Sequence, residues 1–232
     1  MAVMALNARA AWNIELPKQG LGLQIGWAQP ILRLNDPNNP SSAKDSLSNI
    51  TKLNGFKVGV VYDGSMIQGF GVSMGINYTF AANNEGWKQS FPLALYPRGR
   101  QVTTYHEMEV FVDWQYKFEV AKETYLMLYT GPTIQCGIAF NQRYDYQVSQ
   151  NSSVVSTTTN RYTTDDADEV LKRLNVTWGV GAGFQYKRYF LRGGYDFGLI
   201  SPYQNADFTN GNHARGRLDQ WNIKVGMYLW YK

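Results

Sequence analysis

The sequence predicts an all-β chain, an eight-stranded antiparallel up-and-down transmembrane β-barrel. Three observations point there: strand-period alternation too long for an ordinary sheet, its recurrence eight times, and connections that are alternately short and long. The clearest alternation starts at Phe70, where Phe70, Val72, Met74, Ile76, Tyr78 and Phe80 alternate with Gly71, Ser73, Gly75, Asn77 and Thr79 without exception. Successive side chains of a strand point to opposite faces, so one face here is wholly apolar. Soluble strands usually run about five or six residues, whereas crossing a bilayer takes about nine to eleven. This segment is long enough to cross.

In chain order, the first strand is placed at 19–29 on Leu21, Leu23, Ile25 and Trp27, and the second at 55–63 on Phe56, Val58, Val60 and Tyr62. The Phe70 segment gives 68–81. A fourth, at 102–118, sets Val110, Val112, Trp114 and Tyr116 against Glu109, Phe111, Asp113 and Gln115. The fifth, 124–140, rests on Leu126, Leu128, Ile134 and Ile138; the sixth, 172–186, on Leu174, Val176, Trp178, Val180, Ala182 and Phe184. The seventh, 189–200, carries Tyr189, Leu191, Tyr195, Phe197 and Leu199. The eighth, 217–231, sets Trp221, Ile223, Val225, Met227, Leu229 and Tyr231 against Asn222, Lys224, Gly226 and Tyr228.

Short turns are expected at Asp63-Gly64-Ser65-Met66, Glu119-Val120-Ala121-Lys122 and Lys187-Arg188, and long polar loops at 30–54, 83–101, 141–171 and 201–216. Tight periplasmic turns with long extracellular loops are the asymmetry of outer-membrane barrels, which places the chain in the bacterial outer membrane. Residues 19–232 form the single barrel domain. Residues 1–18 read equally as a lead into it or as the tail of an export signal whose start lies upstream, with Ala8-Arg9-Ala10 as the small-residue end.

Composition excludes other classes. Aromatics are 15% of the residues and charged residues only 17%, below the usual quarter of soluble domains. Mean hydropathy is −0.37, and no run of eighteen apolar residues exists, so a transmembrane helix is excluded. A barrel is not, because its strands show lipid only every second residue. The net charge of +4 is spread without a basic block, so no nucleic-acid footprint is read. Cys136 is the only cysteine, which rules out an intramolecular disulfide and a Cys-rich metal site.

Closure follows from hydrocarbon, where every backbone N–H and C=O needs an internal partner and a sheet survives only without edges. The inward register then carries a lumen polar network of Lys57, Glu107, Glu109, Asp113, Arg173, Arg192, Asp196 and Lys224, with Asp196 expected beside Lys224. Inward glycines, among them Gly75, Gly181, Gly194 and Gly226, make room for these groups, so a plugged lumen is expected rather than a wide pore. Alternation alone also fits an inside-out soluble barrel of lipocalin type. The Gly-, Ser-, Thr- and Asn-rich polar face and the Trp and Tyr at strand ends favour the membrane.

No cofactor or catalytic motif stands out. His106 lies beside Glu107, but the two fall on opposite registers; His213 reads as a loop residue. Asp165-Asp166-Ala167-Asp168-Glu169 lacks the glycine turn of a calcium loop and reads as a solvated acidic segment, so no metal is expected. Gly179-x-Gly181-x-Gly183 has strand period and no helix after it, which argues against a phosphate loop.

The stretch Glu107 to Phe140 with Tyr129-Thr-Gly-Pro132, then Trp178 to Arg188 and Leu191 to Leu199, resembles the PorT-like outer-membrane β-barrel families of Bacteroidota over residues 55 to 232, whose general shape resembles the small OmpA and OmpX barrels. The resemblance implies an integral barrel and allows an accessory role in type IX secretion. The terminal Tyr228-Leu-Trp-Tyr-Lys resembles an assembly signal read by the barrel-insertion machinery, although it ends in Lys232 rather than an aromatic. The expected partners are therefore outer-membrane lipid and lipopolysaccharide, the insertion machinery during biogenesis, and an envelope protein. The expected function is structural, partner-binding or accessory, through extracellular loops. A lipid-modifying enzyme, a narrow channel and the lipocalin-like barrel are the alternatives.

Overall fold

In the computed structural model the described residues are 19–35, 50–67, 69–88, 98–147, 153–163, 171–202 and 215–231. His213, the 165–169 acidic cluster and residues 1–18 lie outside them. Each alternating segment is a strand: β1 (Gln19–Asn35), β3 (Asn54–Ile67), β4 (Phe70–Lys88), β5 (Arg98–Ala121), β6 (Thr124–Gln147), β8 (Leu174–Tyr186), β9 (Tyr189–Gly198) and β10 (Arg215–Tyr231). Two short strands lie within expected loops. β2 (Ile50–Lys52) pairs with β1, and β7 (Val155–Asn160) with the outer end of β6.

All pairings are antiparallel. Neighbours along the chain pair in turn, and β1 pairs with β10 from Gly20↔Tyr231 to Asn35↔Arg215, so eight strands close a ring. No helix among the described residues is long and apolar enough to cross a membrane.

Burial tells inside from outside. Leu23, Ile25, Ile76, Val110, Ile134 and Ile223 are each about half exposed, while Lys57, Glu107 and Arg192 are no more than 1% exposed. A soluble barrel would reverse this, so the lipocalin-like alternative is overturned: the apolar face is the outer one. Leaving the more than thirty large hydrophobics of the strand-borne outer face open to water would cost on the order of 1 kcal/mol or more each, and hydrocarbon removes that cost.

Two one-residue bulges correct the simple alternation. In β6 the pairing steps from Glu107↔Gly137 to His106↔Ala139, so Ile138 is the extra residue and Phe140 turns inward to meet Tyr105 at 5.5 Å between ring centroids. In β10 it steps from Gly22↔Tyr228 to Leu21↔Trp230. Tyr231, expected on the lipid face, therefore turns in and stacks on Tyr228 at 5.3 Å, and Trp230 is exposed instead.

The expected turn at Asp63-Gly64-Ser65-Met66 is also corrected. These residues continue β3, with Asp63 opposite Ser73, and the reversal falls at Gly69, whose φ of 89° suits glycine. The hairpin between β8 and β9 reverses at Lys187-Arg188, as expected, whereas the one expected at Glu119–Lys122 falls later, at Lys122-Glu123, because β5 continues to Ala121; Glu123 and Lys187 are at positive φ.

Large inward side chains are set against glycines. A Cβ at Gly181 would stand 2.2 Å from the Tyr129 ring and one at Gly226 would stand 2.1 Å from Phe190. An eight-stranded lumen has room for side chains and little else, so bulk on one strand requires its absence on the next.

Candidate functional site

The interior is layered. On the extracellular side Leu32, Leu53, Ala81, Tyr105, Phe140, Leu171 and Leu218 form one buried apolar cluster, with Tyr162 against it. Leu53 and Leu171 come from connections rather than ring strands; they are tied in by Leu53 N donating to Pro30 O (2.9 Å) and Leu171 N to Arg161 O (2.9 Å). Toward the periplasmic ends, Val61, Phe111, Met127, Phe190 and Tyr228 form a second cluster, with Tyr231 packed on it.

Between these layers the inward register of β3, β4, β5 and β10 converges. Lys57 Nζ donates to both oxygens of Glu109 at 2.7 Å and also to Gln220. Asn77 donates to Glu109 (2.6 Å) and accepts from Gln24 (2.6 Å). Gln220 Nε2 donates to Glu107 Oε1 (2.6 Å), whose other oxygen accepts from Tyr105 (2.7 Å). A buried carboxylate needs both a countercharge and hydrogen bonds, and Glu109 has Lys57 as its countercharge with donors on both oxygens.

A second group lies lower. Arg192 Nη2 donates to both Asp63 oxygens at 2.8 Å and Nη1 to Ser73 at 2.8 Å; Lys117 reaches Asp63 at 3.0 Å and Gln185 at 2.9 Å; the Tyr228 hydroxyl donates to Asp63. These contacts tie β3 to β9, β5 and β10 across the lumen.

Of the eight expected lumen residues, Lys57, Glu107, Glu109, Asp113, Arg192 and Lys224 are buried inside, and Asp196 is half-buried. Arg173 is a correction. It precedes the first residue of β8, so strand alternation does not apply to it; it is exposed, donates to the carbonyls of Gly137 and Ile138, and lies over the Tyr162 ring at 4.9 Å. The pairing of Asp196 with Lys224 is also corrected. The β9–β10 register sets Lys224 opposite Arg192 and Asp196 opposite Gln220, and Asp196 accepts from Asn222 at 2.8 Å while Lys224 lies over Phe111.

Asp63, Lys117, Gln24, Asn77, Gln220 and Tyr105 join the site although the sequence alone does not single them out. The neutral ones lie on the same inward register and could have been taken from it. Asp63 was hidden because Asp-Gly reads as a turn.

His106 faces the other way. Its Nδ1 is 2.6 Å from the Tyr78 hydroxyl and its ring packs on Phe80 at 4.8 Å, on the outer surface, while Glu107 points into the lumen. Among the described residues no group of three His, Cys, Asp or Glu could hold a metal ion.

Residues 20–204 match the family model described as an outer membrane protein beta-barrel domain. Among curated proteins no sequence matches the chain. The chain is similar to Ail, the attachment invasion locus protein of Yersinia pestis, at 12% identity over 90% of this chain and 97% of that one, with a TM-score of 0.42. It is similar to Neisserial surface protein A at 12% identity over 91% and 99%, TM-score 0.41, and to the N-terminal β-barrel domain of OprF from Pseudomonas aeruginosa at 10% identity over 90% and 99%, TM-score 0.29. With a closed ring, an apolar outer face and a family match over most of its length, the chain belongs to the outer membrane protein β-barrel family and resides in the bacterial outer membrane.

Proposed function

We propose that this barrel is a non-enzymatic anchor that holds an extracellular β-structure out to an envelope or surface protein, as a partner-binding or accessory subunit. The observation that carries the reading is the contrast between a filled lumen and strands that run on past the membrane. The interior is occupied by two apolar clusters with an ion-paired layer between them, which leaves little use for the molecule as a conduit. β5 and β6 each run 24 residues, more than twice the roughly nine to eleven a bilayer needs, and β7 adds to β6 beyond it. Above the membrane nothing but function demands ordered strand.

The resemblance of the central strands to PorT-like barrels of Bacteroidota supports an accessory place in an envelope complex, secretion included. A lipid-modifying enzyme would need a base, a hydroxyl and a carboxylate together at the outer rim, and His106 has Tyr78 and Phe80 as neighbours.

The test is site-specific photo-crosslinking in intact outer membranes from Val154 and Thr158, both exposed, with Val112 on the lipid face as control. A discrete protein adduct from the first two and none from Val112 is expected. No adduct from either extracellular position, with measurable ion conductance in a planar bilayer, would replace the anchor with a channel.

A further inference from the structure

On the outward register of β10, two residues beyond Trp221, stands a carboxylate where a lipid-facing strand would be expected to carry none. Asp219 is fully buried. Its Oδ1 accepts from Arg217 Nε (2.8 Å) and from Gly198 N (3.0 Å), and its Oδ2 from Arg33 Nε (2.9 Å) and the Tyr195 hydroxyl (2.8 Å). Both oxygens are used within the chain, so Asp219 is not open to a cation. Its effect is on the arginines.

Arg33 and Arg217 are direct cross-strand partners in the β1–β10 ladder and share one face. Two guanidiniums side by side repel; the carboxylate between them holds both and leaves one positive charge over. Each engages Asp219 through Nε, which spends only part of a five-donor fork, and the side chains are 40% and 48% exposed. Lys52 of β2, exposed and opposite Ile31 on β1, adds a further cation on the neighbouring strand. Below, Tyr195 packs on Trp221 at 4.6 Å and Trp27 stands on β1, the aromatics that sit at headgroup level. The pair therefore faces outward, away from the lumen, just beyond these aromatics, the level at which the outer leaflet has its polar edge.

We infer that Arg33 and Arg217, braced by Asp219, form a binding site for a phosphate monoester carried by the glycolipid of the outer leaflet. Guanidinium forks match the spacing of phosphate oxygens and can each contact two of them, which an ammonium cannot do. Asp219 is a positioning residue and the two arginines are the ligand-binding ones. The inference rests on the outer-membrane placement and not on the partner-binding role.

The test is native mass spectrometry of the folded barrel from phosphatidylcholine nanodiscs doped with lipid A carrying both phosphates, or with lipid A stripped of them. The wild-type barrel is expected to retain the phosphorylated form about tenfold better, the effect of one charge-assisted contact of about 1.4 kcal/mol. Arg33→Gln with Arg217→Gln is expected to abolish the preference. Asp219→Asn is expected to weaken it although net positive charge rises, because the forks lose their brace.

Equal retention of both lipids by the wild type, an undiminished preference in the double variant, or tighter binding by Asp219→Asn would each overturn the site. Complete displacement of lipid A by inorganic phosphate would overturn the lipid source in favour of a free anion. Faster migration of unheated samples on gels checks that every variant is a folded barrel, so failure of the fold shows separately from failure of the site.

Discussion

Two arginine–aspartate pairs of nearly equal geometry sit at different depths in this molecule. Arg192 meets Asp63 at 2.8 Å inside the barrel, each 1% exposed, and Arg100 meets Asp145 at 2.7 Å beyond the membrane, where the arginine is 30% exposed. Asp63 also has Lys117 and the Tyr228 hydroxyl; Asp145 also has Arg143 and Ser156. Contact lists alone would rate them alike. What separates them is the surroundings of the cations: the Asp145 side chain is itself only 2% exposed, but it is covered by arginines that are 30% and 46% exposed and whose removal lets water in, whereas every group around Asp63 lies in the packed interior. A pair inside the lumen is therefore costly to break even where its net contribution to stability is small, while a pair at the rim costs little.

The largest effect is expected from Arg192→Leu. It leaves the Asp63 carboxylate with Lys117 as its countercharge and the Tyr228 hydroxyl as its neutral donor, and should lower stability by about 3–5 kcal/mol, read as a fall in the urea midpoint of the gel-mobility transition in detergent. A shift as small as that of a rim variant would erase the distinction between the two pairs.

Next is Gly181→Val, whose side chain must enter the space of the Tyr129 ring and should cost about 1–3 kcal/mol by overpacking. Pairing it with Tyr129→Ala sharpens the comparison: recovery of folding yield in the double variant shows that the clash, and not strand propensity, is the cause.

Tyr105→Phe removes the hydroxyl that donates to Glu107 and should cost about 1.5–3 kcal/mol, the range for a hydrogen bond to a charged group. An unchanged midpoint would mean that the carboxylate finds another donor.

The smallest effect is expected at the rim. Arg100→Gln should cost less than about 1 kcal/mol and be masked by high salt. The Ser156 hydroxyl, and after it Arg100, hold the Asp145 carboxyl below its ordinary value. A depressed folded pKa stabilises fully above the unfolded value of about 3.9 and loses that contribution as pH falls through the lower folded value. Amide exchange at Thr157, which pairs with Tyr144, should thus quicken relative to the intrinsic rate only below about pH 4, and Asp145→Asn should remove that dependence.

How much of this was legible in the sequence follows from the same difference in surroundings. Within the bilayer one face meets hydrocarbon and the other a crowded polar lumen, so Phe70 to Phe80 alternates cleanly and Lys57, Glu109 and Arg192 fall on the inward register. Above the bilayer the outward face meets water in place of hydrocarbon, so both faces carry polar residues and the alternation disappears. For that reason β5 and β6 extend beyond their expected ends, and β2 and the uncharged, Thr-rich β7 lie in segments read as loops. The bulges at Ile138 and Leu229 leave no mark on composition, yet each moves an aromatic, Phe140 or Tyr231, across the wall. Arg173 was misplaced because alternation was carried one residue past the end of a strand. Asp219 lies inside the strand placed at 217–231 but on its outward register, where the alternation gives an acid no role, and its partner Arg33 comes from the opposite end of the chain.

The most direct test of the central claim, a closed barrel with an apolar exterior and a filled interior, is the gel mobility of the protein extracted from isolated outer membranes, compared between unheated and boiled samples. The chain is expected to sediment with those membranes, to resist extraction by high salt, and to run faster unheated than boiled. A chain that is released into the soluble fraction and shows one mobility in both samples would contradict it.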